Sequence, residues 1–491
     1  MRAWLALVAL AACGGGIDPG VRTTLPHPEV ANADHGELVM EGSIYGQWWR
    51  PRGDVKAVLV VQHGLNDHGD RYAHLASTLV DKGYAVYAMD LRGHGRSAGP
   101  RDEIDHFERY VDDEHAWIAA VKQKEPGKPI FVFGHSMGGV IMIRYAEEHG
   151  DEIAGVILSA PAIGIDAPPL QAAAIGLAGH LGSPGKMLPQ RDADFTRIPD
   201  EVAAMGKDPL LPHGDGPTHT AVELVGAIER AWYEADHFTA PLIVLHGSAD
   251  KLTSPAASRD FVARVASTDK RHVLIAGAWH DIAHDPARDE FEGDIAAWLD
   301  AHVGGASLPP PAAEPEHIKG ERTRSATAVE LAGVSQLDPA METWGRVAAR
   351  ASLGAFYHAE LDLAIRDGVG AELLPIGVAG RLGRAGEIAL SGGVGAGWPG
   401  TWSDVEIPVR VSLELPFGPS HFFANATWHW FVRGPAPDSI SAMAALRFGG
   451  DHDYWSRVSA GAGPFAGVTY AHSDGIDTWG VTLGLHLWGV D

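Results

Sequence analysis

A chain of 491 residues is longer than one ordinary domain, and usual domain sizes suggest roughly two or three. Its formal net charge of -25 at pH 7 sets it against nucleic-acid phosphates and offers no electrostatic attraction to anionic lipid. With one cysteine, Cys13, the chain cannot form an internal disulfide.

The chain opens on MRAWLALVALAACGGG, in which Arg2 precedes an apolar run from Ala3 to Ala12. That run is too short for a permanent membrane helix and reads as an export signal over residues 1–12. Leu10-Ala11-Ala12-Cys13 resembles a bacterial lipoprotein signal. The resemblance implies that Cys13 is acylated and heads the mature chain, with Gly14 pointing to the outer membrane. The expected location is the bacterial cell envelope, as an outer-membrane lipoprotein. Residues 13–35, rich in Gly, Pro and polar side chains, read as a tether.

From 36 to 303 the chain alternates short apolar runs with longer amphipathic stretches. AVLVVQHG (57–64), YAVYAMD (84–90), PIFVFGHS (129–136), IAGVILSA (153–160), PLIVLHGSAD (241–250) and RHVLIAGAWH (271–280) read as buried strands ending in polar residues. FERYVDDEHAWIAAVKQK is one of the intervening helices. This pattern predicts a parallel sheet covered by helices, with ligand chemistry at the carboxyl ends of its strands. The Pro-, Gly- and Ala-rich interval at about 161–239 breaks the alternation and reads as a cap over that edge.

At the end of the third predicted strand, Gly134-His135-Ser136-Met137-Gly138 fits the G-x-S-x-G elbow, a sharp strand-to-helix turn that lifts a serine hydroxyl over a sheet. A serine nucleophile needs a base, and the base needs an acid to orient it. In chain order Ser, Asp, His, the ends of later strands supply Asp250 and His280. The oxyanion formed on attack needs backbone N–H donors. Met137 offers one, and Leu65, after His63-Gly64, offers the second.

QHGLNDHGDRY, DLRGHGRSAGPR, GHSMGG, KDPLL, LHGSADKLTSP and GAWHD stand in the order and spacing found in monoacylglycerol lipases and lysophospholipases of the α/β-hydrolase fold, close to the serine aminopeptidase-like group. The resemblance covers about 40–303. It implies Ser136 as nucleophile, Asp250 and His280 as its partners, Leu65 and Met137 as oxyanion donors, a lipid or other ester as substrate, and no cofactor. After His280 the chain departs from the family, reading Asp281-Ile282-Ala283-His284-Asp285 in place of an acidic, leucine-rich run.

Blander readings attach to other polar residues. His63, His94 and His135 read as loop and packing residues, and Asp90 and Asp281 are the alternatives to Asp250. Trp48 and Trp49 read as packing. No H-E-x-x-H or paired-cysteine spacing supports a metal. The rival functions are an aminopeptidase-like amide hydrolase and an outer-membrane structural or pore protein carrying a passenger hydrolase domain.

Residues 304–340 read as a Pro-rich linker. No lysine follows Lys319, eight of the 15 tryptophans lie between Trp344 and Trp488, and the pattern turns to period two. In VEIPVRVSLEL, Val405, Ile407, Val409, Val411, Leu413 and Leu415 share one face and Glu406, Arg410 and Glu414 the other. About eight or nine such segments predict an antiparallel β domain over 341–491, either a barrel or a sandwich. Segment length and the placing of Trp402, Phe417, Trp428 and Trp430 favour an outer-membrane barrel. Pro408 inside the best strand and a terminal Asp491 count against it.

Overall fold

The computed structural model describes residues 25–40, 43–164, 191–212, 217–305 and 307–308, and beyond them Asp438 and the ten strands named below. Cys13 and part of the cap, 165–190 and 213–216, lie outside the described residues.

The N-terminal sheet has eight strands: β1 (Ala33–Met40), β2 (Ile44–Pro51), β3 (Val58–Gln62), β4 (Ala85–Met89), β5 (Ile130–His135), β6 (Gly155–Ser159), β7 (Leu242–Gly247) and β8 (Lys270–Ile275). Their spatial order is β1-β2-β4-β3-β5-β6-β7-β8. Neighbours from β4 onward run parallel. The sheet is mixed, because β1 and β2 form an antiparallel hairpin whose second strand joins β4 in antiparallel register.

Successive residues of the central strands enter opposite layers of core. Val58, Val60 and Val132 pack in one cluster, and Leu59, Val61, Phe131 and Phe133 in the other. Helices α2 (Glu108–Lys124) and α3 (Met137–His149) supply the first layer. Helix α1 (Ala73–Val80) and the helix Arg288–Gly304 supply the second. Strands covered on both faces need continuous apolar runs, which is why these segments lack alternation. This is the α/β-hydrolase fold of the sequence reading.

The tether is shorter than 13–35. The Arg96 guanidinium donates to the carbonyls of Leu25 and Pro26, His27 pairs with Glu37 at 2.6 Å, and Ala33 already begins β1. Of the cap, short helices at Asp192–Phe195 and Pro199–Met205 and a longer one at Thr218–Tyr233 are described. Among the described residues no helix is long and apolar enough to cross a membrane.

The C-terminal part is all antiparallel: β9 (Ser325–Gln336), β10 (Thr343–Leu353), β11 (Tyr357–Ile365), β12 (Val369–Leu382), β13 (Gly386–Ala396), β14 (Val405–Phe417), β15 (Ser420–Arg433), β16 (Ser439–Phe448), β17 (Ala460–Ser473) and β18 (Ile476–Val490). Each strand pairs with the next in sequence, and β18 pairs back to β9, closing the ring.

Nine of these strands, β10 to β18, lie within 341–491, where eight or nine alternating segments are predicted, and the tenth, β9, comes from the stretch read as linker. The linker does not extend to 340, since Ser325–Gln336 is β9, whose small residues hid it beside the proline run. Pro408 fits the ring at an interruption. On the β13 side the described pairing reaches Gly392–Val409 and resumes at Gly395–Glu406, so the missing N–H falls in a gap in the ladder.

Candidate active site

Ser136 sits between β5 and α3 with φ 53° and ψ −118°, a conformation that costs an L-residue energy and survives only when its surroundings fix it. The neighbouring glycines do so by close approach. A Cβ on Gly134 would stand 2.4 Å from the Gly138 carbonyl oxygen, and one on Gly138 would stand 2.4 Å from that of His63. No other residue type fits either position, so the turn stays tight and the serine hydroxyl is held over the strand ends.

His280 meets that hydroxyl. Its Nε2 lies 2.9 Å from Ser136 Oγ, and its Nδ1 lies 2.8 Å from Asp250 Oδ2. These partners assign the tautomer: Nδ1–H donates to the carboxylate, and Nε2 accepts from the serine. The structure thus brings together the three side chains singled out in the sequence, from the ends of β5, β7 and β8.

Asp250 is fully buried and densely bonded. The backbone N–H groups of Leu252 and Thr253 donate to Oδ1, and the Thr253 hydroxyl donates to Oδ2 at 2.9 Å. His246 Nε2 lies 3.1 Å from the same Oδ2, while its Nδ1 faces Ser258 Oγ at 2.8 Å. Burial alone would raise the carboxyl. The attraction of His280 and the hydrogen bonds from His246 and His280 overcome it and hold the group well below the usual carboxylate range. It is therefore a carboxylate at neutral pH.

The loop after β3 lies against the serine. A Cβ on Gly64 would reach within 3.0 Å of Ser136 Cβ and 3.2 Å of the His135 carbonyl oxygen, so the loop that continues into Leu65 passes close to the nucleophile turn. Met137 opens α3, and the N–H groups of a helix's first turn have no carbonyl one turn back to satisfy them. Of the two expected oxyanion donors, Met137 directly follows Ser136 and Leu65 follows the glycine packed against it.

A network of charged groups ties this loop to the one carrying His280. Arg71 Nε pairs with Asp67 at 2.9 Å, and its Nη2 donates to Asp281. Asp281 also holds His284, at 2.9 Å, and Tyr72 donates its hydroxyl to Asp67. Burial would raise the Asp281 carboxyl, but His284 and Arg71 hold it far below its ordinary value. Arg197 grips Asp285 with two nitrogens, at 2.9 and 2.8 Å. The departure from the family pattern after His280 is thus filled by ion pairs. From the cap side, the Phe195 ring meets the His280 ring edge-on at 5.7 Å, and its carbonyl accepts from the Asp281 N–H.

The remaining histidines take packing roles. Burial pushes His63 and His135 down to about 4. His63 bridges its own loop to the Leu91 N–H, and His135 Nδ1 faces the Ser159 carbonyl. His94 is buried beside Asp102. Asp90 is spent on the Gly69 and Arg96 N–H groups, and Asp281 on Arg71, so neither takes the place of Asp250. Trp49 is buried in one core layer and Trp48 packs against the other. The sequence reading missed His246, Thr253 and Arg71. All three stand inside motifs quoted above, His246 and Thr253 in LHGSADKLTSP and Arg71 in QHGLNDHGDRY, but no role was attached to them.

The site falls within a matched family model. Residues 53–287 match the serine aminopeptidase (S33) family. The monoacylglycerol lipase of Mycolicibacterium smegmatis is 35% identical over 258 residues, covering 52% of this chain and 92% of that protein. Human monoglyceride lipase is 31% identical over 258 residues, covering 52% of this chain and 82% of its own. A solved structure of a soluble variant of Saccharomyces cerevisiae monoglyceride lipase in complex with a substrate analog superposes with a TM-score of 0.51 at 24% identity, over 57% of this chain and 99% of that one, a likeness of fold. The chain belongs to the monoacylglycerol lipase family of α/β-hydrolases and is a serine ester hydrolase.

Proposed function

We propose that the protein hydrolyses the carboxylic ester of a monoacylglycerol or lysophospholipid through a Ser136–His280–Asp250 triad and an acyl-enzyme. The observation that carries this reading is the single imidazole of His280 bridging Ser136 Oγ and Asp250 Oδ2. Ser136 attacks the acyl carbonyl while His280 Nε2 takes the hydroxyl proton. Asp250 stabilises the imidazolium and keeps Nδ1–H pointed at itself. The N–H groups of Leu65 and Met137 hold the oxyanion, where one such donor is worth about a hundred- to a thousandfold in turnover. Collapse of the tetrahedral adduct expels the alcohol, protonated by His280. A water activated by the same ring then releases the fatty acid.

The relatives named monoacylglycerol and monoglyceride lipases support the substrate class. Cys13 acylation would hold the enzyme at the cell envelope, near amphiphilic esters, and raise their effective concentration. Incorporation of labelled palmitate into the parent but not into Cys13→Ala is the expected result for that anchor.

The test of the reaction is acyl release from long-chain monoacylglycerols, lysophospholipids and short p-nitrophenyl esters by the full chain, with Ser136→Ala as control. Long-chain glyceride hydrolysis that falls at least about a thousandfold in the variant is expected. Cleavage of aminoacyl amides with no ester turnover would overturn the substrate class. Equal ester turnover in both proteins would overturn the triad.

A further inference from the structure

The barrel is inside out by the standard of a water-soluble sheet. On β15 the buried residues are Phe423, Asn425, Thr427 and His429, while Trp428 and Trp430 between and beyond them are exposed. On β18 Thr482 is fully buried, whereas Leu483 is 65% exposed and Trp479 57%. On β14 Arg410 is buried and donates through Nε to Thr427 Oγ1 at 2.8 Å, while Ile407 is exposed. His429 Nε2 meets Ser441 Oγ at 2.9 Å. The enclosed side thus carries polar groups, two pairs of them hydrogen-bonded, beside a small apolar cluster of Phe423, Met443, Ala445 and Phe465, and the exterior carries large apolar residues.

The exposed apolar residues reinforce one another across strands. Val468 stands opposite Val481, Tyr470 opposite Trp479, Trp428 opposite Val409 and Trp430 opposite Ile407. The register continues the alternation around the ring. Two positions along β18 from Leu483, Leu485 begins a lateral row through Leu331, Val347 and Leu363. The adjoining row passes through His486, Glu330, Ala348, Asp362, Glu372, Gly395 and Glu406. Apolar and acid-bearing rows lie side by side, as in a barrel that keeps its charges on the lumen face.

We infer that the outer face of the β9–β18 barrel is a lipid-contacting surface and that the barrel spans a bilayer, an assignment independent of the reaction proposed above. Lipid is the occupant because the exposed apolar residues lie on β13, β14, β15, β17 and β18, too far around the ring for one protein partner to cover. Closure leaves no strand edge with unpaired N–H groups, the condition for strands in hydrocarbon. The strands run from 9 residues in β11 to 15 in β18, against the roughly 9–11 that a tilted spanning strand needs. Trp428, Trp430 and Trp479 gather towards the rim at the β15–β16 and β17–β18 turns, where an interfacial girdle would lie. The opposite rim pairs Ala326 with Val490, so the chain from the hydrolase enters where the C-terminal strand ends.

The test uses the full chain with Cys13→Ala, which removes the acylation site and the only native thiol. Val468→Cys and Thr482→Cys are then labelled separately with a fluorophore after reconstitution into phosphatidylethanolamine/phosphatidylglycerol vesicles. Two results are expected: Cys13→Ala stays with vesicles through an alkaline carbonate wash, and lipid-borne nitroxides quench the label at 468 at least several-fold more than at 482. Release into the supernatant, or equal quenching at both positions, would overturn the assignment. Where a labelled variant fails to fold, the unlabelled Cys13→Ala chain decides. In brominated-lipid vesicles its tryptophan emission falls relative to ordinary vesicles if the belt meets lipid, and unchanged emission counts against it.

Discussion

On β3 of the hydrolase sheet, Leu59 and Val60 point to opposite faces and both are buried; on β18 of the barrel, Thr482 is buried and its neighbour Leu483 lies mostly exposed. Neighbouring strands pair through their backbones in both, although only the barrel closes and the hydrolase sheet keeps edges at β1 and β8. The two sheets differ in which face carries the large apolar side chains. In the hydrolase, helices cover each face, apolar side chains fill most of both layers, and Ser136, Asp250 and His280 meet at the carboxyl ends of the strands. In the barrel the polar groups line the enclosed side and the outward side is apolar. A low-dielectric interior makes the hydrolase triad strong, whereas a low-dielectric exterior is what would make the barrel stable.

The sharpest break in this contrast is Ser136→Ala. It should lower ester turnover by up to about a millionfold, as loss of a triad nucleophile does elsewhere, and leave the thermal unfolding of both parts unchanged. Asp250→Asn comes next. The amide can no longer hold Nδ1–H of His280, and a loss of about ten-thousandfold in kcat near pH 7 is expected. Because Asp250 is held well below the usual carboxylate range, its protonation should not appear as an acid limb in the wild-type pH–rate profile. An acid limb in the wild-type profile that moves in an Asp250→Glu variant would speak against this account of its charge.

The meeting of Ser136, His280 and Asp250 was legible because each closes an apolar run, and strand ends are where an α/β sheet gathers chemistry. The supports around Asp250 were not. His246 and Thr253 act through side-chain bonds that exist only once the chain from β7 has turned back on itself. The β1–β2 hairpin was missed as an element because its exposed edge strand alternates weakly and its partner, IYGQWWRP, is buried on both faces. In the barrel, period two showed that the faces differ, but a pattern of two faces carries no sign. Only the burial of Arg410 and Thr427 beside the exposure of Ile407 and Trp428 supplies it.

Arg71 offers a test of smaller effect on the hydrolase side. Arg71→Met removes the cation shared by Asp67 and Asp281, leaving buried carboxylates short of a partner, at a cost of about 3–5 kcal/mol. Asp281 has a depressed folded-state pKa, so its stabilising contribution is present above the unfolded value of about 4 and is lost as pH falls. The variant should therefore begin acid unfolding at higher pH than the parent, read by circular dichroism between neutral pH and about 3. An unchanged acid midpoint would mean that His284 alone carries Asp281.

The smallest effect bears most directly on the contrast between the two sheets. On a water-facing strand, replacing an exposed leucine with arginine is nearly neutral, usually within about 0.5 kcal/mol. At the midplane of a bilayer the same change costs about 2–4 kcal/mol, falling to about 0–1 near the interfaces. Leu483→Arg should therefore lower the folded fraction of the barrel in vesicles, measured by urea titration of the refolded chain, while ester turnover by the hydrolase part stays at the parental level. Thr482→Val, one residue away, should barely move that titration, because it alters the lumen side and leaves the outer face intact. A reversed order, with 482 sensitive and 483 silent, would mean that water lies outside the ring and that the sheet obeys the same rule as its neighbour in the chain.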